Sequence, residues 1–297
     1  MKKYLLIFYL TGCTYIIMYA QAQPCGPIVP PQLSEATQKL YAQKLAEAKA
    51  KFVNDSTNAE HLIWLGRRTA YPGGYMEAIE IFSKGIVKYP NNPRFLRHRG
   101  HRFITVRCFD KAITDLSKAA TMLKDQVDEI EEDGLPNARN LPTSTLKTNT
   151  FYHLGLAYFI KGDNKNALKA YEECFELADT DDMYVATANW LYITLLRLNK
   201  KKEADDLLKT INPEMDIIEN RDYLDILLMY KTGDEKKLVE KTQSQDSLSN
   251  STLGFALGNY YQEKGQKKKA KEIFEKVVAG SQWASFGFIA AEAELKK

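Results

Sequence analysis

Residues 257–274 read LGNYYQEKGQKKKAKEIF, and the spacing inside this stretch decides the fold. Leu257, Gly258 and Tyr261 precede Gly265, and Ala270 and Phe274 follow it, so small and large residues recur at helical intervals on both sides of a breaker. The set returns as Leu154, Gly155, Tyr158, Gly162, Ala167 and Tyr171. Leu65, Gly66, Ala78, Phe82 and Pro90 give it again, and Gly100, Ala112 and Leu116 repeat Gly66, Ala78 and Phe82 at a shift of 34. In all four copies the glycine and the alanine stand 12 residues apart. Weaker copies centre on Ala204 and Leu238, so the anchors Ala78, Ala112, Ala167, Ala204, Leu238 and Ala270 are separated by 34, 55, 37, 34 and 32 residues.

The residue types explain the pattern. Glycine and alanine let two backbones approach closely, and Phe82, Tyr158, Tyr171, Tyr261 and Phe274 fill the space between neighbouring pairs, which makes these aromatics core. At these residues the chain resembles the tetratricopeptide repeat family over residues 59 to about 284. The resemblance implies units of two antiparallel helices stacked into an all-α, right-handed α-solenoid. About six TPR-like helix pairs are expected over residues 59–282, with capping helices at both ends, because one pair cannot bury its apolar face alone.

Three departures from the repeat carry information. The 55-residue interval places an insertion near residues 125–147, with Asp125, Asp128, Glu129, Glu131, Glu132 and Asp133 followed by Gly134, Pro136 and Pro142. Within an N-terminal segment of residues 23–58, Tyr41, Leu45, Ala48 and Phe52 recur every three or four positions and predict a capping helix over 34–53. Residues 283–297 predict a final helix covering the last repeat, ending in Lys296 and Lys297 as suits a helix C-terminus.

Composition narrows the function. The 297 residues carry 41 Lys plus Arg against 38 Asp plus Glu, and 44% are hydrophobic, a soluble globular balance. Lys2 and Lys3, an apolar run from Tyr4 to Tyr19 and the Ala20-Gln21-Ala22 site read as a signal peptide over residues 1–22. A rival reading takes Leu10-Thr11-Gly12-Cys13 as a lipobox, which would make Cys13 the site of a lipid anchor. No later run is long enough to be a transmembrane span. The chain is therefore expected to be exported, periplasmic or extracellular, or alternatively a membrane-anchored lipoprotein. The near-neutral mature charge and the export signal argue against nucleic acid as a partner. Cleavage leaves Cys25, Cys108 and Cys174, which have no metal-ligand spacing; one bridge is possible in an oxidising compartment, but its pairing is not readable, and Cys108 and Cys174 read as small packed residues.

Seven of ten arginines lie between Arg67 and Arg107, and residues 93–109 hold five Arg, two His and no acid. In the family the first helix of each pair lines a concave groove. Carried onto this chain, the resemblance implies Arg67 and Tyr71 from the first repeat, and Arg94, Arg97, His101 and Thr105 from the second. It adds Tyr152 and Phe159 from the third, and Asn189 and Arg197 from the fourth. Arg97 and His101 sit one helical turn apart and can face one anion. Some family members grip a partner's terminal carboxylates, but His153, Ala186 and Trp190 do not match that clamp. Two uses of the arginines stay open at this level: pairing with the acids of the insertion, or binding a ligand. The ligand expected is an acidic protein or peptide, with a small anionic or glycan molecule as the alternative. His98 and His101 have a metal-compatible spacing, but no carboxylate or Cys lies within a turn to complete a site. No G-x-S-x-G, H-E-x-x-H or P-loop is present, so neither a cofactor nor an enzyme is expected. The functional expectation is an exported, noncatalytic scaffold that binds a partner in its groove; the alternatives are a lipid-anchored envelope adaptor and an enzyme acting on an anionic substrate.

Overall fold

The computed structural model describes residues 24–242 and 247–297. The expected signal peptide and Cys13 lie outside the described residues. Among the described residues every regular element is a helix, fourteen in all. After α1 (Glu35–Asn54) come six pairs: α2 (Ala59–Ala70) with α3 (Tyr75–Lys88), α4 (Pro93–Thr105) with α5 (Phe109–Leu123), α6 (Leu146–Lys161) with α7 (Asn164–Leu177), α8 (Asp181–Arg197) with α9 (Lys201–Lys209), α10 (Arg221–Thr232) with α11 (Lys236–Lys241), and α12 (Ser247–Glu263) with α13 (Lys267–Val278). The last element is α14 (Phe286–Glu294). The solenoid expected from the repeat is the fold observed.

Local chemistry sets the helix boundaries. Side-chain oxygens of Ser34, Asn58, Asn92, Thr145, Thr180 and Ser285 accept first-turn amides at the starts of α1, α2, α4, α6, α8 and α14. Pro93 opens α4, where its missing N–H costs nothing. Gly162, at φ 81°, takes the left-handed conformation that closes α6.

The six anchors all fall on the second helix of a pair, and each is at most 2% exposed. The glycine of each strong copy faces the residue sixteen positions on. A Cβ at Gly155 would lie 2.6 Å from the Tyr171 ring, and one at Gly258 2.1 Å from Phe274; Gly66 meets Phe82 and Gly100 meets Leu116 in the same way. In the two weak copies Tyr192 and Ile226 stand at the glycine position, and the residues sixteen on are Leu208 and Thr242. A large residue stands where the strong copies have glycine, which hides the repeat in sequence.

Between α5 and α6 the chain forms a strap that folds back over the first helices. Ile130 and Thr145 make an isolated antiparallel bridge; the Glu131 amide donates to the Ser144 carbonyl at 3.2 Å and the Leu146 amide to the Glu129 carbonyl at 2.8 Å. The Asp128 carboxylate accepts from the Thr145 hydroxyl at 2.6 Å and the Lys147 amide at 3.0 Å, tying the strap to the start of α6.

The C-terminal helix does more than cover the last repeat. Besides packing on α12 and α13, α14 reaches across to α6. Arg107, in the α4–α5 turn at φ 63°, donates to the Trp283 carbonyl at 2.8 Å and to Glu292 at 3.0 Å, with its guanidinium 3.9 Å from the Trp283 ring centre. Beside this turn a disulfide joins Cys25 to Cys108, so Cys108 is bridged as well as packed. Cys174 is free and buried, and burial pushes its thiol pKa up to about 12.

Candidate functional site

The arginine cluster is presented by α2 and α4, and the strap lies on it. Arg97, 6% exposed, donates to Glu131 Oε1 at 2.8 Å. Arg67 donates to the Glu132 carbonyl at 2.7 Å and Arg68 to the Gly134 carbonyl at 2.6 Å, with both guanidinium groups against the Trp64 ring at 4.1 and 4.8 Å. Arg94 holds both carboxylate oxygens of Glu60 on α2 and lies 3.8 Å from Glu129 of the strap. The Tyr71 ring meets Tyr41 of α1 in a tilted contact at 5.7 Å between ring centres. Of the acids of the insertion, Glu131 pairs with Arg97 and Glu129 lies near Arg94, whereas Arg67 and Arg68 take main-chain carbonyls of the strap. Arg99 faces away and pairs with Asp115 through two bonds of 2.7 and 2.8 Å.

Arg102 is the exception. Among the described residues its side chain has no hydrogen-bond or ion-pair partner, and its guanidinium lies 5.9 Å from the Tyr75 ring centre. Burial, and the like charges of Arg97 and Arg67, push its pKa down to about 10, so it is still a cation at neutral pH.

Behind the strap, Arg67, Arg97 and Arg102 line a cavity of about 230 Å³ together with Glu131, Asp133 and the three imidazoles of His98, His101 and His153. The rings of His101 and His153 lie 4.2 Å apart, whereas His98 stacks on Phe82 at 5.4 Å, so the two histidines spaced for a metal face different neighbours. Burial first, and the surrounding arginines second, hold all three imidazoles well below their ordinary pKa, hence neutral. The hydrogen bonds fix the tautomers. Arg97 Nη1 donates to His98 Nδ1 at 3.0 Å, which leaves the His98 proton on Nε2. His153 Nδ1 donates to the Asn149 carbonyl at 2.6 Å. Burial, then the nearby charge of Glu219, raises the Asp133 pKa to about 6 in spite of Arg67.

The remaining residues expected in the groove are packed against their own chain. Thr105, 1% exposed, donates its hydroxyl proton to the His101 carbonyl at 3.2 Å. The Tyr152 hydroxyl accepts from Trp190 Nε1 at 2.8 Å, lies 3.2 Å from the Tyr223 hydroxyl, and the ring meets Phe286 of α14 at 6.1 Å. Asn189 is 2% exposed. Arg197 pairs with Glu294 of α14, donates to Asn259 at 3.2 Å and lies 3.9 Å from the Phe159 ring centre. The concave wall thus has two internal occupants: the strap over α2 and α4, and α14 over α6 and α8. Arg102 and His153 are the residues that sequence reasoning did not single out for the site; Glu131 was named among the acids of the insertion. Arg102 belongs to the acid-free run of α4, one turn beyond His98, and that periodicity was the available signal.

The tetratricopeptide repeat family profile matches residues 148–181 and 255–279. No curated protein matches the sequence. Among solved structures, a crystal structure of MamA aligns at 16% identity and a TM-score of 0.45, over 67% of this chain and 95% of that one. YrrB, described as a TPR protein with an unusual peptide-binding site, aligns at 13% identity and a TM-score of 0.44, over 83% of this chain and 97% of that one.

Proposed function

Because the chain is a solenoid built of tetratricopeptide repeats, we propose that it is an exported, noncatalytic scaffold that binds an acidic protein or peptide on its concave wall. The observation that carries this reading is the strap itself. An extended, acidic segment already lies on α2 and α4, giving Arg97 a carboxylate and Arg67 and Arg68 main-chain carbonyls. A partner of the same character would meet the same guanidinium groups of Arg67, Arg94 and Arg97, with Tyr71 and His101 beside them, in competition with the strap. Each charge-assisted hydrogen bond would contribute roughly 1.5–3 kcal/mol where water is excluded. Export is supported by the Cys25–Cys108 bridge, since structural disulfides persist in oxidising compartments. Mass spectrometry of the mature N-terminus tests it: residue 23 free supports cleavage after Ala22, and acylated Cys13 favours the lipid-anchored adaptor.

The test of binding uses a labelled peptide with the strap's own sequence, DEIEEDG (residues 128–134), against the same peptide with every acid amidated. By fluorescence anisotropy the acidic peptide should bind with an affinity that falls as salt rises, and Glu131→Gln in the chain should tighten binding by loosening the internal competitor. Arg94→Ala should weaken it. Equal binding of the acidic and amidated peptides would overturn the reading.

A further inference from the structure

Charge is segregated along this solenoid although the chain is nearly neutral. Antiparallel pairs put each turn inside a pair on one edge of the stack and each connection between pairs on the other. Contacts link neighbours along both edges. Lys161 pairs with Asp110 and the Tyr261 hydroxyl donates to Glu235 at 3.3 Å on the first; the Asp216 amide donates to the Asp181 carboxylate at 2.7 Å on the second. On the first edge, residues 198–203 and 263–269, the turns of the fourth and sixth pairs, hold seven Lys against two acids and no Arg. Between them the α10–α11 turn is balanced, with Lys236 and Lys237 against Asp234 and Glu235. On the second edge, residues 178–183 and 210–220 hold six acids and neither Lys nor Arg.

Helix stability does not account for these lysines. Lys201 and Lys202 open α9, and Lys267, Lys268 and Lys269 open α13, at the end where the macrodipole disfavours cations; neither helix has a side-chain cap. The earlier second helices α3 and α5 carry Glu77 and Asp110 in that turn. Lys201, Lys202, Lys267 and Lys268 are exposed and, among the described residues, make no ion pair.

We propose that the lysine edge is a docking surface for a bilayer rich in anionic phospholipid, with the acidic edge held away from it. A Lys ammonium is a compact point charge without the planar fork by which Arg grips a single carboxylate or phosphate. The two clusters stand two repeats apart, about 20 Å at the usual helix spacing, which is more than a small anion spans. Tyr260 and Tyr261 beside the second cluster are 5 and 3% exposed, so no stacking platform for nucleic-acid bases is offered. A broad anionic plane attracts one edge and repels the other. At the first two pairs Trp283 covers the corresponding turns, 6.0 Å from the Tyr75 ring centre and 3.9 Å from the Arg107 guanidinium, which leaves the lysine turns as the open part of the edge. Binding is peripheral, because none of these turns exposes a large apolar side chain. The surface lies apart from the arginines under the strap and does not rest on the peptide reading.

Co-sedimentation of the mature chain with vesicles of phosphatidylcholine containing about 30% phosphatidylglycerol tests it, against vesicles of phosphatidylcholine alone. The chain should bind the anionic vesicles at low salt, leave them as salt approaches about 0.5 M, and ignore the neutral ones. Lys201→Gln/Lys202→Gln/Lys267→Gln/Lys268→Gln should lose at least ten-fold in affinity, since each lysine near such a surface is worth about five-fold. Circular dichroism should show its helicity unchanged; if it does not fold, Lys267→Gln/Lys268→Gln alone should lose several-fold. Lys39→Gln/Lys49→Gln/Lys84→Gln/Lys118→Gln removes the same charge from α1, α3 and α5 and should change affinity less than three-fold. Equal binding to the two kinds of vesicle, equal losses in the two quadruple variants, or binding of duplex DNA as tight as that of the anionic vesicles would each overturn the proposal. Vesicle binding without binding of the DEIEEDG peptide would refute only the peptide reading, and the reverse only this one.

Discussion

Acidification from pH 7.5 to 5.5 should destabilise this protein through its buried imidazoles. His98 and His153 are each 4% exposed, and burial among arginines holds both pKa values far below the ordinary 6.5. A group whose folded pKa is depressed contributes stability above its unfolded pKa and loses it as pH falls. The unfolded chain takes up protons below pH 6.5 that the folded chain refuses. At pH 5.5 an unfolded imidazole is about nine-tenths protonated, so each group costs about 1.4 kcal/mol, and the two together about 3 kcal/mol. His101 acts in the same direction, and Asp133 opposes in part. Asp133's folded pKa of about 6 means that the folded form gains protons in this window before the unfolded chain does. With a urea m-value near 3 kcal/mol/M for a chain of this size, the unfolding midpoint should fall by about 1 M. Equilibrium unfolding followed by circular dichroism at the two pH values measures it, and His98→Gln/His153→Gln should flatten the dependence. A midpoint that holds or rises on acidification, or an equal fall in the double variant, would refute the reasoning.

Gly258→Ala should destabilise by about 1–2 kcal/mol, because overpacking against the Phe274 ring outweighs the roughly 1 kcal/mol that alanine gains in helix propensity; adding Phe274→Leu should recover most of the loss in thermal unfolding. Cys25→Ala/Cys108→Ala removes a bridge that closes a separation of 83 residues, worth about 4.5 kcal/mol in the chain-entropy account, and should lower the unfolding midpoint to that of the reduced wild type.

The repeat was legible because its signal is local. A glycine and an alanine 12 residues apart sit within one helix pair, and four copies repeat the spacing. The same logic made the two weak pairs faint, since Tyr192 and Ile226 stand where the strong copies have glycine. The insertion showed itself as a long interval between anchors, and its acids and the arginines of α4 were both visible. Which use the arginines make was not, because Arg97 and Glu131 meet through a chain reversal that no periodicity encodes. The occupation of Tyr152 and Arg197 by α14 was hidden for a stronger reason: Arg197 and Glu294 are 97 residues apart. Their meeting depends on the accumulated curvature of every intervening pair.

An open array of repeats interacts only between neighbours, so its ends are indifferent to one another and units can be added or removed. Here the contact between Arg107 and Glu292, 185 residues apart, joins the last helix to an early turn. The chain has become a loop of mechanically linked modules, in which fraying at either terminus is transmitted to the opposite side. Deleting residues 286–297 should therefore behave less like trimming a stack than like unbuckling a belt, and the clasp cannot shut until α14 has been made.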